Sequence, residues 1–406
     1  MYLAPKYEVS FLLIELLQPD GKRYHVSHYN FEEMVSHCTD KALSYYVIRQ
    51  PTTPFLTTIF PFLQFLKSAR SYKSKLAVIL SDQRIKKIVA INDVGFYFGS
   101  LFNEAKKRSI DALVLQWALT YNGQTAKAEK LPPAWRLFLY RIRRNIITFI
   151  RSSLLKGVAG WDVSNRKTVL GSGTAGKFGV INEQAYKYFV SRGVSKEKMT
   201  VVGYLDFYEV AHTRDTFDTN EQLCHETAQR LGIDRAKKNI VIFSSAYNSA
   251  IVRELDDAGQ LAFYEDMVKM IRVSCPEELY TISLKIHPIE NLALYAPLKK
   301  HGVTLYDKFT NNSELIYFCD LYIADSTTVN FLPILMDKKA IFINFLSLPI
   351  IETSREYFGI TRYITDRQEF CTLIEDYTKD RLQKQYILDK TIFTDNSLQR
   401  ILEWVG

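Results

Sequence analysis

The chain has 406 residues, 47% hydrophobic and 24% charged, a balance that excludes a disordered or fibrous chain and a length that suits two domains of ordinary size. A net charge of +8 calls for an anionic partner, which on charge alone is a phosphorylated substrate, an acidic membrane leaflet or nucleic acid. The five cysteines, Cys38, Cys224, Cys275, Cys319 and Cys371, are widely spaced and form no C-x-x-C pair, so neither a disulfide framework nor a zinc site is expected and a reducing cytoplasm fits best. The sequence opens without the features of a signal peptide and holds no run of about 18 apolar residues, so no membrane span is expected.

In chain order, short apolar runs predict buried strands at Tyr7–Leu17, Leu76–Leu80, Ile88–Asn92, Ala112–Gln116, Gly179–Asn182 and Thr200–Gly203, separated by helical patterns. This is the rhythm of a parallel α/β sheet and defines a first Rossmann-like domain over 1–205, read as the acceptor side. Residues 206–238 are polar and charged and read as a linker, with a helical pattern ending at Leu231-Gly232. The rhythm then repeats: strand 239–243, helix from about 251 to 274, strands Thr281–Ile286 and Gly302–Tyr306, a helix near Ser313, strand Leu321–Ala324, helix Val329–Met336 and strand Ala340–Asn344. That is a second doubly wound domain over 239–385, and Arg381–Val405 reads as helical, with 386–406 a terminal helix able to cross back onto the first domain.

Ligands of open α/β sheets sit beyond the carboxyl ends of the strands, so the polar residues there are the candidates. In the second domain these are Ser244 and Ser245, then Lys285, His287 and Pro288, then Asp325, Ser326, Thr327 and Thr328. Hydroxyls and N–H groups at a helix start after Ser326 suit a phosphate, although Ser326 or Thr327 read equally well as a helix cap. His287 can offer an N–H to that phosphate or protonate the leaving group, with charge from Lys285; a lone strand-end histidine is more often structural.

Together these residues carry a resemblance. The run from Asp320 through Asp325-Ser326-Thr327-Thr328 to Ile343, with Leu284-Lys285-Ile286-His287-Pro288 before it, resembles the S/T and H-P motifs of the CDP-glycerol glycerophosphotransferases, polysialyltransferases and related capsule or lipopolysaccharide transferases of Kdo-transferase type. In the first half, Val89–Asp93 and Ala112–Trp117 resemble the strand-helix-strand that leads to an acceptor-side loop, and Gly193–Tyr204 a segment near the domain end. The resemblance implies a GT-B glycosyltransferase, two Rossmann-like doubly wound domains facing across a cleft. It also implies a nucleotide-activated donor at Ser244, Ser245, Lys285, His287, Pro288, Ser326, Thr327 and Thr328, and acceptor-side contacts at Gln116 and Trp117.

The helix after the S/T loop lacks the Glu with which many UDP-sugar enzymes hold ribose, which favours a cytidine-type donor; Ala118-Leu119-Thr120 replace the histidine expected after Trp117 in the glycerophosphotransferases. A CMP-activated acid sugar such as a nonulosonate or Kdo is therefore preferred to a CDP-glycerol-type donor, with a surface glycan or lipid-linked acceptor. Asp93 is the chosen catalytic base, with Asp162 and Glu183 as alternatives, inversion and retention both open, and no metal or further cofactor expected.

Gly171–Lys177 satisfies G-x-x-x-x-G-K, but Phe178 stands where a P-loop needs Ser or Thr and the following residues read as a strand, so no nucleotide-hydrolysing loop is expected. From Pro132 to Lys156 a basic amphipathic pattern carries Trp135, Arg136, Arg143 and Arg144 with no acidic residue; it fits core packing and contact with an anionic inner leaflet equally. The rival readings are an epimerase of the same architecture, which needs a dense set of carboxylates and histidines, and a non-enzymatic membrane- or nucleic-acid-binding protein. The preferred reading involves no nucleic acid.

Overall fold

The structure, a computed structural model, describes residues 9–17, 23–25, 31–40, 43–51, 59–94, 96–116, 153, 169–248, 254–325, 327, 329–348, 358–387 and 396–406. The chain divides into two units, one of Met1–Trp117, Thr125–Val202 and Leu398–Gly406, the other of Ala118–Gln124 and Gly203–Ser397.

Among the described residues the first unit holds two sheets. Strands β1 (Ser10–Leu17), β2 (Arg23–His25) and β3 (Ser44–Pro51) pair in the order β2-β1-β3, with β1 antiparallel to β2 and parallel to β3, and helix α1 (Phe31–Asp40) lies between β2 and β3 in the chain. Helix α2 (Ile59–Ile79) leads to a parallel sheet of β4 (Lys87–Ala90), β5 (Asp111–Leu115), β6 (Lys177–Val180) and β7 (Met199–Val201), in chain order, with α3 (Phe96–Lys107) after β4 and α4 (Glu183–Ser191) after β6.

The strand expected at Leu76–Leu80 is instead the end of α2. Ala69, Tyr72, Leu76 and Leu80 are buried at helical spacing while Val78 is 73% exposed, so the apolar run straddles two helix faces rather than filling a strand. Tyr72 anchors the packing of α2 on α3 by donating its hydroxyl to the Tyr97 carbonyl at 3.1 Å.

The second unit begins where a linker was expected. Residues 206–238 carry most of α5 (Leu205–Thr219) and all of α6 (Glu221–Leu231), the latter started by the Asn220 side chain on the Leu223 N–H and ended by Gly232 in the left-handed conformation. Phe207, Val210, Phe217, Cys224, Ala228 and Leu231 are buried, so a segment polar overall still owns a narrow apolar stripe.

Five parallel strands follow: β8 (Lys238–Phe243), β9 (Tyr280–Lys285), β10 (Val303–Tyr306), β11 (Leu321–Ala324) and β12 (Lys339–Phe342), in the order β10-β9-β8-β11-β12. The central strand β8 is buried from Asn239 to Phe243, as a strand covered on both faces must be. Between the strands lie α7 (Asp257–Ser274), a 3-10 helix over Leu292–His301, α8 (Asn312–Tyr317) and α9 (Phe331–Leu335), with α10 (Arg367–Thr378) after β12. Helix α7 starts at Asp257 because Asp256 caps the Gly259 N–H, and it buries Phe263, Tyr264, Met267, Val268 and Ile271 on the sheet.

The helical reading from Arg381 is corrected. Residues 381–387 form no helix, and Tyr386 bridges Ile360, whereas α11 covers Ser397–Val405. From Leu398 onward α11 groups with the first unit: the Trp404 ring sits against Gly179, where an added Cβ would come within 3.2 Å, and Lys87 donates to the Gly406 carbonyl at 2.7 Å.

Candidate functional site

The strand order β10-β9-β8-β11-β12 reverses direction at β8, the switch point outside which open α/β sheets bind ligands. The loops leaving β8, β9 and β11 meet there. Ser244 and Ser245, the two residues after β8, brace opposite neighbours: Ser244 turns to the β9 loop and Ser245 to the β11 loop.

Ser244 is buried, donates its hydroxyl to the Glu290 carboxylate and accepts the His287 N–H at 2.8 Å. Glu290 also accepts that N–H at 2.8 Å, the Gln260 amide at 2.7 Å and the Tyr295 hydroxyl. The Glu290 N–H returns to the His287 carbonyl at 2.9 Å, closing a turn in which Pro288 occupies the position where a fixed φ is favoured. Burial pushes the Glu290 carboxyl upward, and the donors from Ser244, Tyr295, His287 and Gln260 oppose that shift. Glu290 was not among the expected residues; its signal was a carboxylate three positions after the histidine.

His287 presents an imidazole whose Nδ1 receives the Ile289 N–H at 3.4 Å, which leaves the proton of the neutral ring on Nε2. Burial, aided by the charge of Lys285, lowers its pKa to about 4, so the ring is neutral at pH 7 in the free protein. Lys285, at the end of β9, is 3% exposed and donates to the Ile286 carbonyl at 3.3 Å. Burial lowers its pKa to about 8, with Asp307 and Glu290 opposing, so it remains mainly charged at pH 7.

On the other side Ser245 donates its hydroxyl to the Asp325 carboxylate, whose pKa burial raises against the hydrogen bonds from Ser245 and Tyr247. The buried Asn330 side chain holds the Asp325 carbonyl at 2.7 Å and is held by the Tyr322 hydroxyl at 2.9 Å. Thr327 gives its N–H to the Asp325 carbonyl at 2.9 Å; Ser326 and Thr328 lie outside the described residues.

The expected helix Val329–Met336 is shorter, Phe331–Leu335, with Pro333 inside and Asp337 at positive φ closing it. One turn carries little macrodipole, so the argument from a helix start does not stand. Of the two serines expected at the donor site, Ser244 donates its hydroxyl to Glu290 and Ser245 to Asp325, so both brace the loops.

In the first unit, Asp93 is not placed as a base. Its side chain has no exposed surface; one oxygen accepts the Gly171 N–H and the other the Gly173 N–H, each at 2.8 Å, with the Lys198 ammonium at 3.9 Å. Burial raises its pKa against those contacts. The carboxylate clamps the glycine-rich loop, and Gly173 is required there because an added Cβ would lie 2.1 Å from the Asp93 carbonyl oxygen. That loop runs into strand β6. Glu183 opens α4 with its side chain exposed, and Asp162 lies outside the described residues.

Gln116 is buried and accepts the Ile181 N–H at 3.1 Å, tying the end of β5 to the end of β6. Trp117, Trp135, Arg136, Arg143 and Arg144 lie outside the described residues. Among the described residues no helix is long and apolar enough to cross a membrane, and no group of three or more His, Cys, Asp or Glu could hold a metal ion.

This is a two-unit α/β fold of the GT-B type. The chain is similar to the UDP-GlcNAc 2-epimerase of Neisseria meningitidis solved with UDP-GlcNAc, with a TM-score of 0.55, 11% identity, and 92% of this chain and 88% of the other covered. It is similar also to the UDP-GlcNAc 2-epimerase of Methanocaldococcus jannaschii in complex with UDP-GlcNAc and UDP, at 0.50, 11%, 98% and 99%. A variant of the wall teichoic acid polymerase TagF soaked with CDPG matches at 0.50 and 12%, with 98% and 87% covered. No protein-family profile and no curated relative matches the sequence.

Proposed function

We propose that this protein is a nucleotide-dependent transferase that moves a sugar or polyol unit from a cytidine-activated donor to a surface-glycan or lipid-linked acceptor. The observation that carries this reading is the pairing, at the switch point, of the buried Lys285 ammonium with a neutral His287 whose Nδ1 accepts the Ile289 N–H, which leaves Nε2–H as the ring's donor. A donor phosphate placed against Lys285, His287 and the Thr327 hydroxyl meets one charge and two hydrogen-bond donors, and as the bond to the transferred group breaks, the growing negative charge on that phosphate strengthens all three contacts. His287 stabilises the leaving group by donating its Nε2–H to it as a hydrogen bond. The ligands of the similar structures, UDP-GlcNAc, UDP and CDPG, support a nucleotide at this fold.

Within this reading the donor is a CMP-activated acid sugar or a CDP-glycerol-type compound, and no cofactor beyond it is proposed. The basic segment from Pro132 to Lys156 would hold the protein peripherally on the anionic inner face of a cytoplasmic membrane. The test is thermal stabilisation by CMP, CDP, UDP, GDP and ADP. A shift with a cytidine nucleotide that disappears in His287→Ala supports the proposal, a shift with UDP alone transfers it to uridine donors, and no shift with any nucleotide overturns it.

A further inference from the structure

Behind the His-Pro turn lies a pocket of about 310 Å³ lined by Ala246, Asn248, Asp257, Ile289, Glu290, Asn291 and Leu294, a size at the small end of ligand sites. It sits between the loops after β8 and β9, and Glu290 is the wall it shares with the turn that carries His287. Ala246, Ile289 and Leu294 supply its apolar lining, and Ile289 is 49% exposed.

The polar rim is held open and only partly used. Asn248 donates to one Asp257 oxygen at 2.7 Å, and the Asn291 side-chain oxygen caps the Ala293 N–H at 3.0 Å. Among the described residues the second Asp257 oxygen, the Asn248 carbonyl oxygen and the Asn291 amide nitrogen have no partner, so the rim offers two acceptors and one donor. Two acceptors beside an apolar face match a molecule that carries several hydroxyls on a small carbon frame. The exposed Asp257 carboxylate on the rim disfavours a ligand that is itself an acid.

We propose that this pocket binds a neutral polyhydroxylated group, a polyol or an uncharged sugar, placed against the donor phosphate through the shared Glu290 wall. The proposal rests on the transferase reading for what the group does, and the group is either the unit being transferred or the terminal unit of the acceptor. Between the two donor classes left open above, it selects the polyol-type donor over the acid sugar if the transferred unit is the occupant.

The test compares wild type with Asp257→Asn and Asn291→Ala, using CDP, CDP-glycerol, CMP-N-acetylneuraminic acid and free N-acetylglucosamine as probes. If the transferred unit occupies the pocket, CDP-glycerol binds the wild type about tenfold more tightly than CDP, and either variant erases that margin while leaving CDP unchanged. If the acceptor unit occupies it, CDP and CDP-glycerol bind alike in all three proteins, and free N-acetylglucosamine binds the wild type but neither variant. The free sugar is titrated with and without CDP, so failure of every nucleotide to bind counts against the phosphate site while the sugar arm still decides the pocket. Unchanged binding of CDP-glycerol and of the free sugar in both variants overturns the proposal, as does weaker binding of CMP-N-acetylneuraminic acid in Asp257→Asn.

Discussion

The hydroxyl of Ser244 is shared between two points of one turn: it donates to the Glu290 carboxylate and accepts the His287 N–H at 2.8 Å, so the end of the central strand fixes the backbone of the histidine. Ser245, one residue on, performs the same service for Asp325. Because successive residues of an extended chain point opposite ways, two neighbouring serines brace the β9 and β11 loops at once.

Removing Glu290 should damage both stability and the site. In Glu290→Ala the Ser244 and Tyr295 hydroxyls, the His287 N–H and the Gln260 amide lose a buried acceptor, a loss of about 3 kcal/mol or more. Urea unfolding should show that decrease, and nucleotide binding should weaken with it. Equal stability of variant and wild type would mean the carboxylate does not hold the turn.

Lys285→Met should stabilise the fold and abolish nucleotide binding. The folded protein lowers the lysine pKa from 10.5 to about 8, so between these values the unfolded chain holds a proton that the folded chain has lost. Folded stability therefore rises with pH across that window, and below about pH 8 the buried charge costs stability that methionine does not incur. A gain of about 1 to 3 kcal/mol at pH 7 is expected by calorimetry, together with a flat profile between pH 8 and 10. A loss of stability would count against a desolvated lysine.

Nucleotide affinity should fall as pH rises through about 8, where Lys285 loses its charge in the free protein, by up to tenfold per pH unit. His287→Ala should weaken CDP binding by roughly 10- to 100-fold, the loss of one hydrogen bond to a charged group. The remaining affinity should keep the same dependence on Lys285. Isothermal titration at pH 6, 7, 8 and 9 reads both effects.

Asp93→Asn should act on stability. The amide keeps one acceptor for Gly171 or Gly173 and faces the other N–H with a donor, a loss of about 1 to 3 kcal/mol. Amide exchange at Gly171 and Gly173 should accelerate in step. Unchanged stability with turnover abolished would return Asp93 to the role of a base.

The parallel sheets and the strand-end positions of Lys285, His287 and Thr327 were legible in the sequence. Apolar runs such as Asn239–Phe243 and Leu321–Ala324 are long enough for a strand and too short for a helix, and polar residues follow each of them. Length alone failed at Leu76–Leu80, where the run closes a helix that also buries Ala69 and Tyr72. A narrow apolar stripe hid α5 and α6 in a segment charged overall.

What the sequence by itself determined is the α/β alternation and the chemistry available at each strand end, because both depend on residues close together in the chain. Which of those groups face a ligand was decided only by tertiary structure. Ser244 and Glu290 are 46 residues apart, Ser245 and Asp325 are 80, and Asp93 and Gly173 are 80. Each pair consumes polar groups that the sequence shows as available, since a buried hydroxyl or carboxylate must find a partner and packing alone decides which one it is.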